Sequence, residues 1–167
     1  TAPEGEGTVY VVLIEPTGQR VKRAAPGGEG SVMDYFSTGS LMNYLARFDS
    51  SFAAYRAGPV RAFYNDSFEV YGSNWTHDFF DEFRVRRGYD LKRYLPEFLG
   101  DGGDDTVARV RHDYNETISD LLLERFTVPW VRWCREKGGR TRNQAHGSPG
   151  NLLDLYAAAD IPETCLL

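Results

Sequence analysis

The sequence predicts an α/β fold: about half of a (β/α)8 TIM-type barrel, preceded by an N-terminal β-hairpin. Three observations carry this reading. From residue 31 onward, strand and helix patterns alternate as strand, helix, strand, helices, strand, helix, strand, which implies parallel strands joined by right-handed crossovers. Each of those strands ends in chemically capable residues: Asp34, then Asp66 with Glu69, then Gln144 with His146, then Glu163. Chemistry gathered at the carboxyl ends of parallel strands is the habit of the barrel. The third observation is length: 167 residues fall short of the about 250 that a complete barrel needs and hold roughly four strand–helix units, which makes about half a barrel or a small open α/β sheet.

Taken in order, Thr8 to Ile14 is a β-branched and aromatic run and reads as a strand. Pro16-Thr17-Gly18 turns the chain, so that Gln19 to Arg23 returns as its hairpin partner. The segment from Ala24 to Gly30 is too rich in glycine for regular structure, and it lacks the Lys-Ser/Thr that would make it a phosphate-binding loop. Ser31 to Asp34 reads as a short strand. A helix from about Ser40 to Ala57 follows, with Leu41, Tyr44, Leu45, Phe48 and Phe52 on one face, stopped by Gly58-Pro59. Val60 to Tyr64 is the next strand.

Thr76 is suited to cap a helix through Arg87, with its acids early and its arginines late, in the order that complements the helix dipole. Gly88 ends it, and Asp90 caps a short helix through Leu99. Gly100 to Asp105 makes a turn that lacks the spacing of an EF-hand. The longest helix spans about Asp105 to Lys137, and Pro129 should kink it. Arg140 to Ala145 is a strand, a helix runs from Pro149 or Asn151 to Ala159, and the last strand spans Asp160 to Thr164.

Composition narrows the function. Net charge is −5 with no block of Lys and Arg, which argues against a general nucleic-acid binder. No apolar run is long enough to cross a membrane. Cys134 and Cys165 are too few for a disulfide framework and lie in no metal-binding spacing. An aromatic content of 14% beside many Asp, Asn, Arg and Gly suits a sugar-binding cleft and a well-packed core equally well. The chain begins at Thr1, so a leader is expected to have been removed.

The chemistry centres on Asn65-Asp66-Ser67-Phe68-Glu69. A carboxylate among Tyr64, Phe68 and Tyr71 would be poorly solvated, which keeps a carboxylic acid protonated and able to act as a general acid; the bland alternative is a solvated surface loop. Glycoside hydrolysis needs such an acid and a second carboxylate across the scissile bond. Glu69 is the candidate acid, and Glu163 or Asp34 the candidate second carboxylate. Asp66 is better suited to bind sugar hydroxyls or a metal. Asn143, Gln144, His146 and Glu163 are candidate substrate contacts, with a structural histidine the equal alternative for His146; the tryptophans are core by default, and Trp75 alone lies near enough to stack on a sugar. No serine or cysteine nucleophile arrangement is present. A metal-dependent phosphoesterase using Asp66, Glu69 and His146 lacks the usual His and Asp clusters.

Several longer stretches carry a resemblance. These are Val21-Lys22-Arg23-Ala24-Ala25-Pro26-Gly27-Gly28-Glu29-Gly30 with Val32-Met33-Asp34, Asn65 to Glu69 with Arg86 to Leu91, Arg142 to Gly147, and Asp160 to Thr164. Together they resemble the α-L-rhamnosidases of glycoside hydrolase family 106, from about Val21 to Thr164. The resemblance implies a larger multidomain enzyme with a (β/α)8 catalytic barrel, of which residues 1–167 form one N-terminal segment. It implies hydrolysis of terminal α-L-rhamnose with inversion, on plant or algal polysaccharides or glycosides, with a calcium ion near the sugar. By motif, Glu69 matches the family's general acid and Asp66 its neighbouring carboxylate, while the general base lies on a later strand beyond Leu167. The expected setting is periplasmic or secreted, with the remainder of the barrel as partner. The alternative is a catalytically incomplete fragment with at most weak carbohydrate binding.

Overall fold

Three short parallel strands organise the chain: β1 (Ala62–Asn65), β2 (Arg140–Asn143) and β3 (Ile161–Pro162), in that spatial order. The computed structural model describes residues 7–55 and 58–164. Ala62 pairs with Arg140 and Asn65 with Asn143 along the first ladder, and Arg142 pairs with Ile161 along the second. The last strand is shorter than the sequence suggests. Pro162 has no N–H to donate, so it is confined to a sheet edge, where β3 lies among the described strands.

Because side chains alternate across a strand, the sheet has two different faces. Phe63, Asn65, Thr141 and Asn143 point toward the helices. Phe63 meets Phe52 at 5.5 Å and Trp133 at 5.2 Å, and Asn143 donates to the Leu155 carbonyl at 3.4 Å. Tyr64 and Arg142 stand on the opposite face and are exposed. The crossovers are helical. Between β1 and β2 run α2 (Phe79–Arg87), a 3-10 turn (Leu91–Tyr94), α3 (Leu95–Leu99), α4 (Asp104–Leu122) and α5 (Val128–Glu136). Before β1 comes α1 (Thr38–Ala54), and between β2 and β3 lies α6 (Leu152–Ala158). Phe36, Leu41, Phe79, Phe83, Leu91, Leu121, Leu122 and Leu155 form the fully buried centre.

The N-terminal hairpin does not form. Residues 8–14 form no strand and are exposed apart from the half-buried Tyr10, whose hydroxyl donates to Asp101 Oδ2 at 3.1 Å, although their composition is that of a strand. The segment from Gln19 pairs instead with the one ending at Val32: Arg20 bridges Ser31 antiparallel, Val21 N donates to Gly30 O at 2.9 Å, and Val32 N donates to Gln19 O at 3.1 Å. Ser31 to Asp34 is therefore no member of the parallel sheet. A local pattern states what a run can become, and pairing partners decide what it does.

Helix starts also moved. Ser37 caps α1 by accepting from Ser40 N at 3.3 Å, so the helix opens two residues earlier than expected; its expected end at Ala57 lies outside the described residues. Thr76 caps nothing: it is buried and donates to Asp34 Oδ2 at 2.7 Å. The arginines late in α2 reach sideways, with Arg86 on Glu82 and Glu124 and Arg87 on Glu116 and Asp120, lashing α2 to α4. Asp90 does cap its turn, accepting from Lys92 N.

The expected kinked helix is two helices joined by a π-turn, Leu123–Thr127, in which Val128 N bonds back to Leu123 O. The widened turn stands immediately before Pro129, where the missing N–H and the ring would disrupt regular α-helix. Cys134 is buried in α5, and burial pushes its thiol up to about 12. Cys165 lies outside the described residues. Among the described residues, no helix is long and apolar enough to cross a membrane.

Candidate active site

The site is built by two loops past the carboxyl ends of β1 and β2, held together by backbone. Gln144 N donates to Asn65 O at 2.9 Å, Glu163 N to Asn143 O at 2.9 Å, and Phe68 N to His146 O at 2.8 Å. Gly147 makes the last approach possible. Its φ is +81°, and a Cβ there would lie 2.7 Å from the Phe68 carbonyl oxygen. The loops border an open cleft of about 1130 Å³, into which Lys22, Asp34, Tyr64, Asp66 and Glu69 face, with Tyr44, Phe48 and Trp133 on its apolar side.

Asp66 Oδ1 accepts from Ser67 N at 2.8 Å and from the Tyr64 hydroxyl at 3.0 Å. The Tyr64 ring carries the Arg142 guanidinium 4.7 Å above its centre, and Arg142 in turn grips Glu163 with two N–H groups, Nη2 to Oε1 at 2.8 Å and Nε to Oε2. Neighbouring side chains of β1, β2 and the segment after β3 thus form one chain of contacts. Burial, the bond to Asp66 and nearby negative charge push the Tyr64 phenol up, while Arg142 holds the Glu163 carboxyl below the usual range.

Glu69 sits in a different setting from the one expected. Its side chain is about half exposed at 53%, and Lys22 Nζ lies 2.7 Å from Oε2. That bond and charge raise the Lys22 ammonium further above its ordinary value. The expected aromatic enclosure is absent because the three rings go to different places. Phe68 packs inward on Tyr35 and Phe126, Tyr71 is 75% exposed, and Tyr64 lies under Arg142. For Glu69 to deliver a proton, the Lys22 contact must give way when substrate enters.

Other expected residues separate into those at the site and those away from it. Gln144 is buried at the strand end, with the Tyr64 hydroxyl 3.4 Å from Oε1. His146 is exposed on the second loop and supplies its carbonyl to Phe68. Asn143 is turned away: it accepts from Asn65 Nδ2 at 2.9 Å and donates into α6, on the helix-facing side of the sheet. Trp75 is a core residue, against Phe79 at 4.3 Å and Phe80 at 4.9 Å, so its faces are covered and it does not reach the cleft. Glu163 is committed to Arg142. Asp34 accepts from Phe36 N at 2.8 Å and from Thr76, which makes it a structural brace.

The one grouping of three possible metal-ligating side chains found among the described residues is His112, Asp113 and Glu116 on α4. Helical spacing brings them together. Asp113 already accepts from the Tyr89 hydroxyl at 2.8 Å, and Glu116 from Arg87 at 2.5 Å. At the cleft, Asp66 is a single carboxylate with one oxygen engaged, whereas calcium takes about six to eight oxygen ligands. The described residues alone do not make up a calcium site.

Carboxylates thus gather past the ends of parallel strands, over an open cleft, in an α/β chain. Comparison with known proteins makes the assignment: the family model described as alpha-L-rhamnosidase matches residues 1–165, and the chain belongs to glycoside hydrolase family 106. It is similar to a protein of Formosa agariphila named "Putative beta-glucuronidase", 28% identical over 166 residues, with 95% of this chain and 14% of that protein covered. It is also similar to the structure of a rhamnosidase from Novosphingobium sp. PP1Y, with a TM-score of 0.74 and 25% identity over 86% of this chain and 15% of that one. The chain therefore spans only about one seventh of either relative's length.

Proposed function

We propose that residues 1–167 are the N-terminal part of a (β/α)8 catalytic barrel of an inverting α-L-rhamnosidase, with Glu69 as general acid. The observation that carries this is the placement of Glu69 and Asp66 together on the loop past β1, both facing the cleft. The sheet supports the barrel reading. A parallel sheet is normally covered on both faces, and here Tyr64 and Arg142 leave the face opposite the helices open.

In the proposed reaction Glu69 gives its proton to the glycosidic oxygen as the bond to the anomeric carbon breaks and its electron pair stays on that oxygen. Water attacks the anomeric carbon from the opposite face and passes a proton to a second carboxylate, about 6.5–9.5 Å from the first in inverting enzymes. Asp66 and Gln144 would bind sugar hydroxyls at the strand ends. Neither Glu163 nor Asp34 is free to serve as the base, since Arg142 holds one and Thr76 with the Phe36 amide holds the other. That favours a second reading of the chain in isolation: a fragment that binds sugar weakly and needs a base from elsewhere in the protein. A calcium ion would likewise need oxygen ligands beyond those described.

The substrate we propose is terminal α-L-rhamnose on plant or algal polysaccharides or glycosides, met in the periplasm or outside the cell. The name of the Formosa agariphila relative makes aryl β-D-glucuronides the control substrate. The test uses the intact protein that contains this chain and its Glu69→Gln variant, on phenyl and 2,4-dinitrophenyl α-L-rhamnosides. General-acid loss should cost about 10²- to 10⁴-fold in kcat on the phenyl glycoside, whose leaving group needs the proton. The dinitrophenyl glycoside should be little affected. Equal losses on both, or none on either, would sink the assignment.

A further inference from the structure

Gln19 is half-buried beneath the loop that carries Glu69 and makes two bonds to it. Its Nε2 donates to the Glu69 carbonyl at 2.5 Å, and its Oε1 accepts from Tyr71 N at 2.7 Å. A glutamine amide presents one donor and one acceptor side by side, as a peptide group does. It therefore bonds the backbone on either side of Val70, one donor and one acceptor, in the way a neighbouring strand would. The glutamine is itself fixed: its carbonyl accepts from Val32 N at 3.1 Å, and Arg20 bridges Ser31. Three residues on, the same strap places Lys22 Nζ at 2.7 Å from the Glu69 carboxylate.

We propose that Gln19 is a positioning residue for Glu69: its side-chain amide clamps the backbone at Glu69 and Tyr71 and so fixes where the carboxyl group presents its proton. The inference rests on the general-acid reading above. Gln19 touches no reacting atom, so its effect must pass through Glu69. A small displacement suffices, because a misplacement of about 1 Å can cost on the order of a hundredfold in rate.

The experiment uses the intact protein with Gln19→Ala, Gln19→Glu, Glu69→Gln and the double variant Gln19→Ala/Glu69→Gln. Thermal midpoints check that each is folded. Gln19→Ala should lower kcat on phenyl α-L-rhamnoside about tenfold, within the range that misplacement spans, with less than about twofold loss on the dinitrophenyl glycoside. In the Glu69→Gln background the same change should do nothing further, since there is no acid left to position. Gln19→Glu, which keeps an acceptor for Tyr71 but turns a second acceptor toward the Glu69 carbonyl, should resemble Gln19→Ala. Hydrogen exchange at the Tyr71 amide should quicken in Gln19→Ala. Equal losses on the two substrates, or an undiminished effect in the Glu69→Gln background, would overturn the proposal, as would unchanged Tyr71 exchange. If Glu69→Gln fails to discriminate the leaving groups, the acid assignment falls and this inference with it. If it discriminates and Gln19→Ala does not, only the role of Gln19 falls.

Discussion

Replacing Gly147 by alanine should separate two costs that usually arrive together. Gly147 and Gly138 share nearly the same left-handed backbone, at φ +81° and +78°. They differ in surroundings. A Cβ at 138 meets nothing within 4 Å, whereas one at 147 lies 2.7 Å from the Phe68 carbonyl oxygen and 3.6 Å from its carbon. Left-handed geometry costs an L-residue roughly 1–2 kcal/mol, and Gly138→Ala should show about that much. Gly147→Ala adds the clash. The obstacle is backbone, so the two loops must part or the Phe68 N to His146 O bond must stretch from 2.8 Å. Forced overpacking costs roughly 1–3 kcal/mol, which brings the total to about 2–5 kcal/mol. Urea unfolding followed by tryptophan fluorescence reads both variants. With a slope of about 2 kcal/mol per molar urea, the midpoint should fall by about 0.5–1 M for Gly138→Ala and by about 1–2.5 M for Gly147→Ala. A Gly147→Ala variant no less stable than Gly138→Ala would refute the claim that these loops are held in contact.

Two further outcomes follow from buried and paired groups. Asp160 accepts from Arg135 and from the Thr141 amide and hydroxyl, and these hold its carboxyl at about 2 against an ordinary 3.8. A depressed folded-state value means stabilisation present above the ordinary value and lost as pH falls from about 4 toward 2; with partial solvent screening it amounts to about 1–2 kcal/mol. The stability gap between the wild type and Asp160→Asn should therefore shrink over that window in urea titrations, and a constant gap would contradict the pairing. Cys134, buried and with its thiol raised to about 12, should resist iodoacetamide at pH 8 in the folded chain and react on unfolding. Peptide mapping separates it from Cys165, and prompt modification of Cys134 would count against its burial.

What could be read in the sequence was whatever depends on residues close in the chain. The β1, β2 and β3 positions follow from short apolar or alternating runs between turn residues, and Gly88 and Gly138 mark real helix ends in left-handed conformation. The misses depend on distant partners. Residues 8–14 have the composition of a strand and find no edge to pair with. Thr76 has the side chain of a cap, yet Asp34, 42 residues earlier, takes its hydroxyl. Pro129 announced a disturbance of the helix without saying that it would be a π-turn rather than a kink, because that choice depends on packing on both sides of the turn.

The site shows the same division more sharply. Asp66 and Glu69 could be found because two acids follow a strand. Their surroundings could not, because tertiary packing sends Phe68 into the core and leaves Tyr71 in solvent. Gln19 and Lys22 carried no local signal at all, being 50 and 47 residues from Glu69. The same geometry bears on both candidate second carboxylates. A carboxylate that activates water needs a free oxygen aimed at the sugar. Glu163 spends both of its oxygens on Arg142, whose charge is further committed to the Tyr64 ring, and Asp34 spends both on Thr76 and the Phe36 amide. Freeing either would strand a partner: a guanidinium without its counter-ion, or a buried hydroxyl and an amide without an acceptor, at roughly 1–3 kcal/mol for each unsatisfied group. On the general-acid reading of Glu69, neither of these two carboxylates is free to double as the base.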